Sequence, residues 1–134
     1  MKIHIPEGVT AIGEYAFENN VRLNTVAFLG NSNLTSIGDF AFAACSSLEK
    51  IELPALVDNV NGSAFYGATS LHTIGVQKEN AYFTSNDGVL FNTTGSTLVA
   101  FPATHATSYT IPENTRIIGE YAFAYARLAP ILSI

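Results

Sequence analysis

The sequence predicts a β-rich solenoid of about five stacked units, each about 23 residues long, interrupted by one β-hairpin insertion. Its units should combine short parallel strands with turns and short helical or 3-10 segments. Three observations carry that expectation. The pair Ala-Phe recurs at Ala16-Phe17, Ala41-Phe42, Ala64-Phe65 and Ala122-Phe123, and four residues before each Ala stands Ile12, Ile37, Val60 or Ile118. Apolar residues that skip one position, such as Val26 and Phe28, Ile51 and Leu53, Ile74 and Val76, or Leu132 and Ile134, have the period of a strand that buries one face. The spacing between strands repeats as well. Ile3 to Val26 spans 23 residues, Val26 to Ile51 spans 25, Ile51 to Ile74 spans 23, and Tyr109 to Leu132 again spans 23. A unit this short cannot bury its apolar face alone, so successive units must stack.

The elements follow in order. Pro6, Pro54 and Pro112 come directly after Ile5, Leu53 and Ile111, where loss of an N–H donor ends a strand. Gly13, Gly38, Asn61 and Gly119 follow the branched apolar residue of each unit. Glycine and asparagine tolerate positive φ best, so a left-handed corner is expected there. Leu23, Leu48, Leu71 and Ala129 sit six residues after each Phe. The second unit carries two extra residues in its Leu29-Gly30-Asn31-Ser32-Asn33 loop. Between Ile74 and Tyr109 the spacing is 35, one period plus twelve.

That excess defines an insertion-bearing unit, residues 77–108, within a single solenoid of residues 1–134. Asn86-Asp87-Gly88 is turn chemistry. Two apolar runs, Val89-Leu90-Phe91 and Thr97-Leu98-Val99-Ala100-Phe101, flank a Thr/Gly/Ser turn and predict a hairpin. Pro102 to Ser108 then leads back to a final strand at Tyr109-Thr110-Ile111. The insertion serves either as part of a binding face or as a cover for a sheet edge.

Composition narrows the function. With 48% hydrophobic and 13% charged residues the chain is no disordered tail. A net charge of −5, with six Lys+Arg scattered singly, offers nucleic acid or an anionic membrane nothing to grip. No apolar run is long enough to span a bilayer, and no signal-peptide core follows Met1. One cysteine, Cys45, can form no internal disulfide.

The residues with chemistry are dispersed. His4, His72 and His105 fall at different places in the repeat and have no zinc-ligand spacing. Asn86-Asp87-Gly88 lacks the closing Glu of a calcium loop and reads as a turn. Glu14, Asp39 and Glu120 share one slot. Translation sets them in a row along one side rather than as a facing pair. No nucleophile, base and orienter share a cleft. The expectation is a non-enzyme, with no catalytic residue, cofactor or metal.

The run Ile-x-Ile-Pro-x-x-Val-x-x-Ile-Gly-x-x-Ala-Phe over Ile3 to Phe17 resembles the BspA-type (Treponema-type) leucine-rich repeat. Glu113 to Phe123 resembles its second half, and Asn80 to Pro102 resembles an insert common in that family. Asn59-Val60-Asn61-Gly62 and Arg127-Leu128-Ala129-Pro130 depart from the pattern. The resemblance implies a leucine-rich-repeat solenoid with one parallel strand per unit. It also implies a secreted or cell-surface protein of bacterial or protist type that uses the array for adhesion or protein binding. For Cys45, it implies a thiol pointing inward and bonded to loop backbone.

If each unit gives one strand, the side chains flanking its buried pair face the concave side. The candidate partner-binding residues are then Lys2, His4, Thr25, Lys50, Glu52, Thr73, Gln77, Ser108 and Thr110. This lightly charged, nearly flat surface suits an extended protein ligand better than a small molecule. Aromatic candidates lie instead on the turns and insertion: Tyr66, Tyr82, Phe83, Phe101 and Tyr125. The last strand, Ile131-Leu132-Ser133-Ile134, ends the array on apolar residues. The expectation is a piece of a longer array, or homo-association through uncapped repeat ends, and the alternative to a binding module is a structural spacer or self-assembling repeat segment without its own ligand.

Overall fold

The computed structural model describes residues 1–128. In chain order its strands are β1 (Lys2–Ile5), β2 (Ala11–Ile12), β3 (Thr25–Phe28), β4 (Ser36–Ile37), β5 (Lys50–Leu53), β6 (Thr73–Val76), β7 (Phe83–Asn86), β8 (Val89–Asn92), β9 (Thr97–Ala100) and β10 (Ile117–Ile118). One 3-10 turn, Gly62–Phe65, is capped by the Asn61 side chain, which accepts from the Ser63 N–H. The architecture is a β-solenoid of about five turns at the expected spacing.

Stacking follows the repeat. β1 pairs in parallel with β3, Ile3 opposite Val26, and β5 with β6, Ile51 opposite Ile74. A second parallel ladder joins β2 to β4 and continues through the Ser36–Asn59 bridge. The Ala-Phe pairs make a third seam. The Phe17 N–H donates to Ala41 O at 2.8 Å and the Phe42 N–H to Ala64 O at 2.8 Å. Their rings stack nearly parallel, Phe17 on Phe42 at 5.4 Å and Phe42 on Phe65 at 6.3 Å. Around them Leu23, Leu34, Leu48, Leu53, Leu71 and Ile74 are buried in one core.

The insertion contains the expected hairpin, since β8 pairs antiparallel with β9 across Thr93–Ser96. A further strand, β7, pairs antiparallel with β8 around Asp87-Gly88. The expected strand at Tyr109-Thr110-Ile111 does not form. Its place beside β6 is taken by the β7–β8 turn: the Ile74 N–H donates to Gly88 O at 2.8 Å, and Ser85 Oγ donates to Ile74 O at 2.6 Å. With those groups of β6 engaged, the returning chain runs without regular structure and pairs only at β10, parallel to β9. Five predicted positions, Ala129, Ile131, Leu132, Ser133 and Ile134, lie outside the described residues.

The repeated glycine serves a purpose other than the one expected. The left-handed residues lie two positions after it, at Tyr15 (φ 60°), Phe40 (φ 58°) and Tyr121 (φ 57°), while Asn61 is extended at φ −134°. Glycine is required by close approach instead. A Cβ on Gly38 would lie 2.6 Å from Glu14 N and one on Gly119 3.2 Å from Leu98 O, while Gly62, one position past the slot held by Asn61, would meet Glu120 O at 2.6 Å. Gly13, at the first corner, has nothing within 4 Å.

A fifth Ala-Phe pair, Ala100-Phe101, closes the fourth unit. The Phe101 N–H donates to Ala122 O at 2.7 Å, continuing the seam. From Leu98 to Phe101 this unit is two residues shorter than Ile118 to Phe123, so it lacks the corner loop. The corner of the fifth unit therefore closes over it and meets the third, Glu120 and Tyr121 lying against Gly62.

Candidate functional site

Alternation sets the exposed row of the strand face. Within β5 Ile51 and Leu53 are buried while Lys50 and Glu52 are exposed, and β1 presents Lys2 and His4 in the same way. Thr25 is exposed beside Lys2, and Thr73 is half-buried beside Lys50. Gln77 lies just past β6, exposed, its N–H donating to Leu53 O at 3.0 Å. Seven of the nine predicted residues thus belong to this face. Ser108 and Thr110 do not, because the strand meant to carry them is absent; both are exposed on the irregular segment before β10.

The face is parted. Among the described residues β1–β3 and β5–β6 form separate sheets, and no ladder joins β3 to β5. The enlarged loop of the second unit is committed to the first. Glu7 accepts from the Asn31 N–H at 2.7 Å through its side chain and from the Asn33 N–H at 3.0 Å through its carbonyl. The second and third units are joined elsewhere, the Ile37 N–H donating to Asn59 O at 2.9 Å and Ser70 Oγ to Ser46 O at 2.6 Å. What remains on the strand face is a cleft of about 210 Å³ lined by Thr25, Val26, Lys50, Ile51, Glu52, Thr73 and Gly75. Facing strand edges left unpaired can pair with an added extended chain.

Cys45 is buried and donates its thiol to Phe17 O at 3.2 Å, the same carbonyl that accepts from Asn20 Nδ2 at 2.9 Å. Burial raises the thiol's pKa, opposed in part by a hydrogen bond from the Asn20 backbone. A thiol held neutral is a poor nucleophile and metal ligand. His105 donates from Nδ1 to His72 O at 2.9 Å, and its Nε2 lies 3.9 Å from the exposed Asp87 carboxylate. Among the described residues no three His, Cys, Asp or Glu side chains converge on a metal position, and no helix is long and apolar enough to cross a membrane.

The corner glycines, the Ala-Phe seam and the stacked strands recur in register along the chain. The profile described as BspA type leucine rich repeat region (6 copies) matches residues 1–126. This chain belongs to that family. Among solved structures it is similar to the pneumococcal vaccine antigen PcpA, with 31% identity and a TM-score of 0.88, over 96% of this chain and 32% of that one. It is also similar to a leucine rich cell surface protein of Faecalibacterium prausnitzii, with 27% identity and a TM-score of 0.80, over 96% of this chain and 34% of that one. A leucine-rich repeat protein of Eubacterium ventriosum shares the fold at 22% identity and a TM-score of 0.60, over 99% of this chain and 47% of that one. Comparison with curated proteins finds no match. The chain spans about a third of the length of the first two solved relatives.

Two features escaped sequence reasoning. Asn80, buried, bridges the insertion to the third unit. Its Nδ2 donates to Pro54 O and Val57 O, both at 3.0 Å, and its Oδ1 accepts from the Tyr82 N–H at 2.7 Å and the Phe83 N–H at 2.9 Å. Nothing in the repeat marks it, because it stands where the period fails. The second is an aromatic edge made of Tyr15, Phe40, Tyr66, Tyr121 and Tyr125, in which neighbouring rings lie 5.0–5.7 Å apart. Its signal was present as an aromatic two residues after Gly13, Gly38 and Gly119. Of the other aromatic candidates, Phe101 is buried in a second core, Phe83 is half-buried, and Tyr82 is exposed.

Proposed function

We propose that this chain is a non-enzymatic protein-interaction and adhesion segment of a secreted or cell-surface repeat protein. Its partner is an extended polypeptide that lies across β1, β3, β5 and β6. The observation that supports this most is the parted strand face. The cleft between β3 and β5 offers unpaired backbone edges, a floor of Val26 and Ile51, and a rim in which Lys50 and Glu52 supply both signs of charge. Side-chain contacts along the exposed rows and the cleft floor would give affinity, and the charged rim would give direction. The family, and the words "cell surface" in the description of one solved relative, support the setting.

Panning a library of displayed extended peptides against the chain tests the reading. Binders should weaken about tenfold or more on Lys50→Ala/Glu52→Ala/Thr73→Ala, and not on substitutions at Ser108 or Thr110. Binders indifferent to the triple substitution would overturn it.

Association between copies is a second reading, favoured by β10. Ile118 is 47% exposed there, while its counterparts Ile12 and Ile37 are 5% and 2% exposed. Light scattering with size exclusion across a hundredfold range of concentration decides it, since a constant monomer rules it out.

A further inference from the structure

We propose that the aromatic edge is a second ligand site, distinct from the strand face, that docks an extended polypeptide segment bearing arginine. Tyr15 stacks on Phe40 at 5.3 Å, and Tyr121 meets Phe40 and Tyr66 edge to face at 5.6 and 5.4 Å. Tyr125 meets Tyr66 at 5.0 Å. Tyr15, Tyr121 and Tyr125, on the first and last units, keep 51%, 48% and 52% of their surface exposed, and Phe40 and Tyr66 between them are half-buried. The row is continuous across four units because the fourth has no corner loop and the third has Ser63 where the others have an aromatic. Tyr121 therefore closes directly onto Phe40 and Tyr66.

Charge selects the occupant. The corner segments 13–19, 38–44, 62–67 and 119–125 contain Glu14, Glu18, Asp39 and Glu120 and no Lys or Arg. Glu14, Glu18 and Glu120 are exposed, and the structure gives their carboxylates no cationic partner among the described residues. Asp39 is partly engaged, accepting from Asn61 Nδ2 at 3.0 Å and Ser63 Oγ at 3.2 Å. Electron-rich ring faces beside free carboxylates attract a cation. A guanidinium suits them better than an ammonium, because it stacks flat on a ring while its edge N–H groups reach a carboxylate. Stacked units repeat at about the spacing of paired strands, so an extended segment can offer side chains to successive corners.

The test uses the whole chain and a fluorescently labelled Gly-Arg repeat peptide, with Gly-Lys and Gly-citrulline repeats as comparators. The arginine peptide should bind about threefold or more tighter than the lysine peptide, and the uncharged citrulline peptide should not bind. Tyr15→Leu and Tyr121→Leu should each weaken binding about three- to fivefold, as expected for one exposed cation–π contact. Glu14→Gln/Glu120→Gln should weaken it and flatten its salt dependence. Lys50→Ala/Glu52→Ala, on the strand face, should leave it unchanged. In the unsubstituted chain, NMR shift changes should centre on the rings of Tyr15, Tyr66, Tyr121 and Tyr125. Equal binding of the lysine and arginine peptides would mean plain attraction to an acidic protein and would overturn the proposal. So would indifference to both tyrosine substitutions, shift changes centred on the strand face, or binding of a glycan array in place of the arginine peptide.

Discussion

The first three units and the last two are built from the same repeat but hold together differently. In the first three, one core runs from Ile5 to Ile74 and the Phe17–Phe42–Phe65 stack is continuous. From the insertion-bearing unit onward a second core forms from Val89, Phe91, Leu98, Phe101 and Ala122, with Phe101 stacked on Phe123 at 5.1 Å and tilted against Tyr109 at 4.8 Å. Leu90, Val99 and Ala100 belong to the first core although they lie in the insertion-bearing unit. The chain thus passes from one core to the other within β8 and β9. A perfect repeat needs one kind of contact; an interrupted one needs a bridge, and here the bridge includes Asn80.

Loss of the central ring should show the contrast most strongly. Phe42→Ala should cost about 3–5 kcal/mol, because the ring is wholly buried between two others, whereas Phe123→Ala, a half-buried ring packed against the second core, should cost about 1–2 kcal/mol. Urea unfolding of both variants measures the difference; equal costs would mean a single core of uniform packing.

Asn80→Ala should cost about 2–4 kcal/mol, since it removes four hydrogen bonds, two to buried carbonyls and two from part-buried N–H groups, and leaves Val57 O without its side-chain donor. Hydrogen exchange should then speed up first in β7 and β8, ahead of β1 and β3. Uniform acceleration would argue that the bridge is not local.

The corner glycines give a smaller and sharper contrast. Gly38→Ala should destabilise by about 1–3 kcal/mol through overpacking against the Glu14 backbone, and Gly13→Ala should stay within about 0.5 kcal/mol. If both were equally harmful, backbone conformation rather than close approach would be the reason for glycine.

The mildest effect concerns protons. Burial holds the Cys45 thiol above its ordinary value of 9.0, and burial followed by the Asp87 charge holds the Tyr109 phenol above 10.0. Above those ordinary values the unfolded chain releases protons that the folded chain keeps, so stability should fall as pH rises. The fall should begin near pH 9, and Cys45→Ala should remove the earlier part of it in thermal melts. Ellman's reagent should label Cys45 only as the chain unfolds.

Much of this molecule was legible in the residues because translation repeats them. The Ala-Phe pairs, the period of about 23 and the alternation along Lys50–Leu53 were enough to infer a stacked solenoid, its hairpin and the inward face of each strand. Seven of the nine candidate partner-binding residues lie on the inferred face for the same reason. The failures cluster where the period breaks. In the sequence Ala100-Phe101 reads as the end of a hairpin, whereas it serves as a repeat pair, and Tyr109-Thr110-Ile111 reads as the next strand, whereas it forms none. Subtraction of residue numbers cannot say how an inserted segment folds back.

The repeat, the strands and the ladder of buried rings follow from the residues alone, because these depend on contacts between residues a fixed number apart. The remainder follows from how the units dock. Docking gave the edge of β6 to Gly88 and Ser85, parted β3 from β5, and set Tyr121 against Phe40 across a unit without a corner. Each of those depends on which backbone groups remain unpaired once the neighbouring unit has docked. A strand's own residues do not record that competition for an edge.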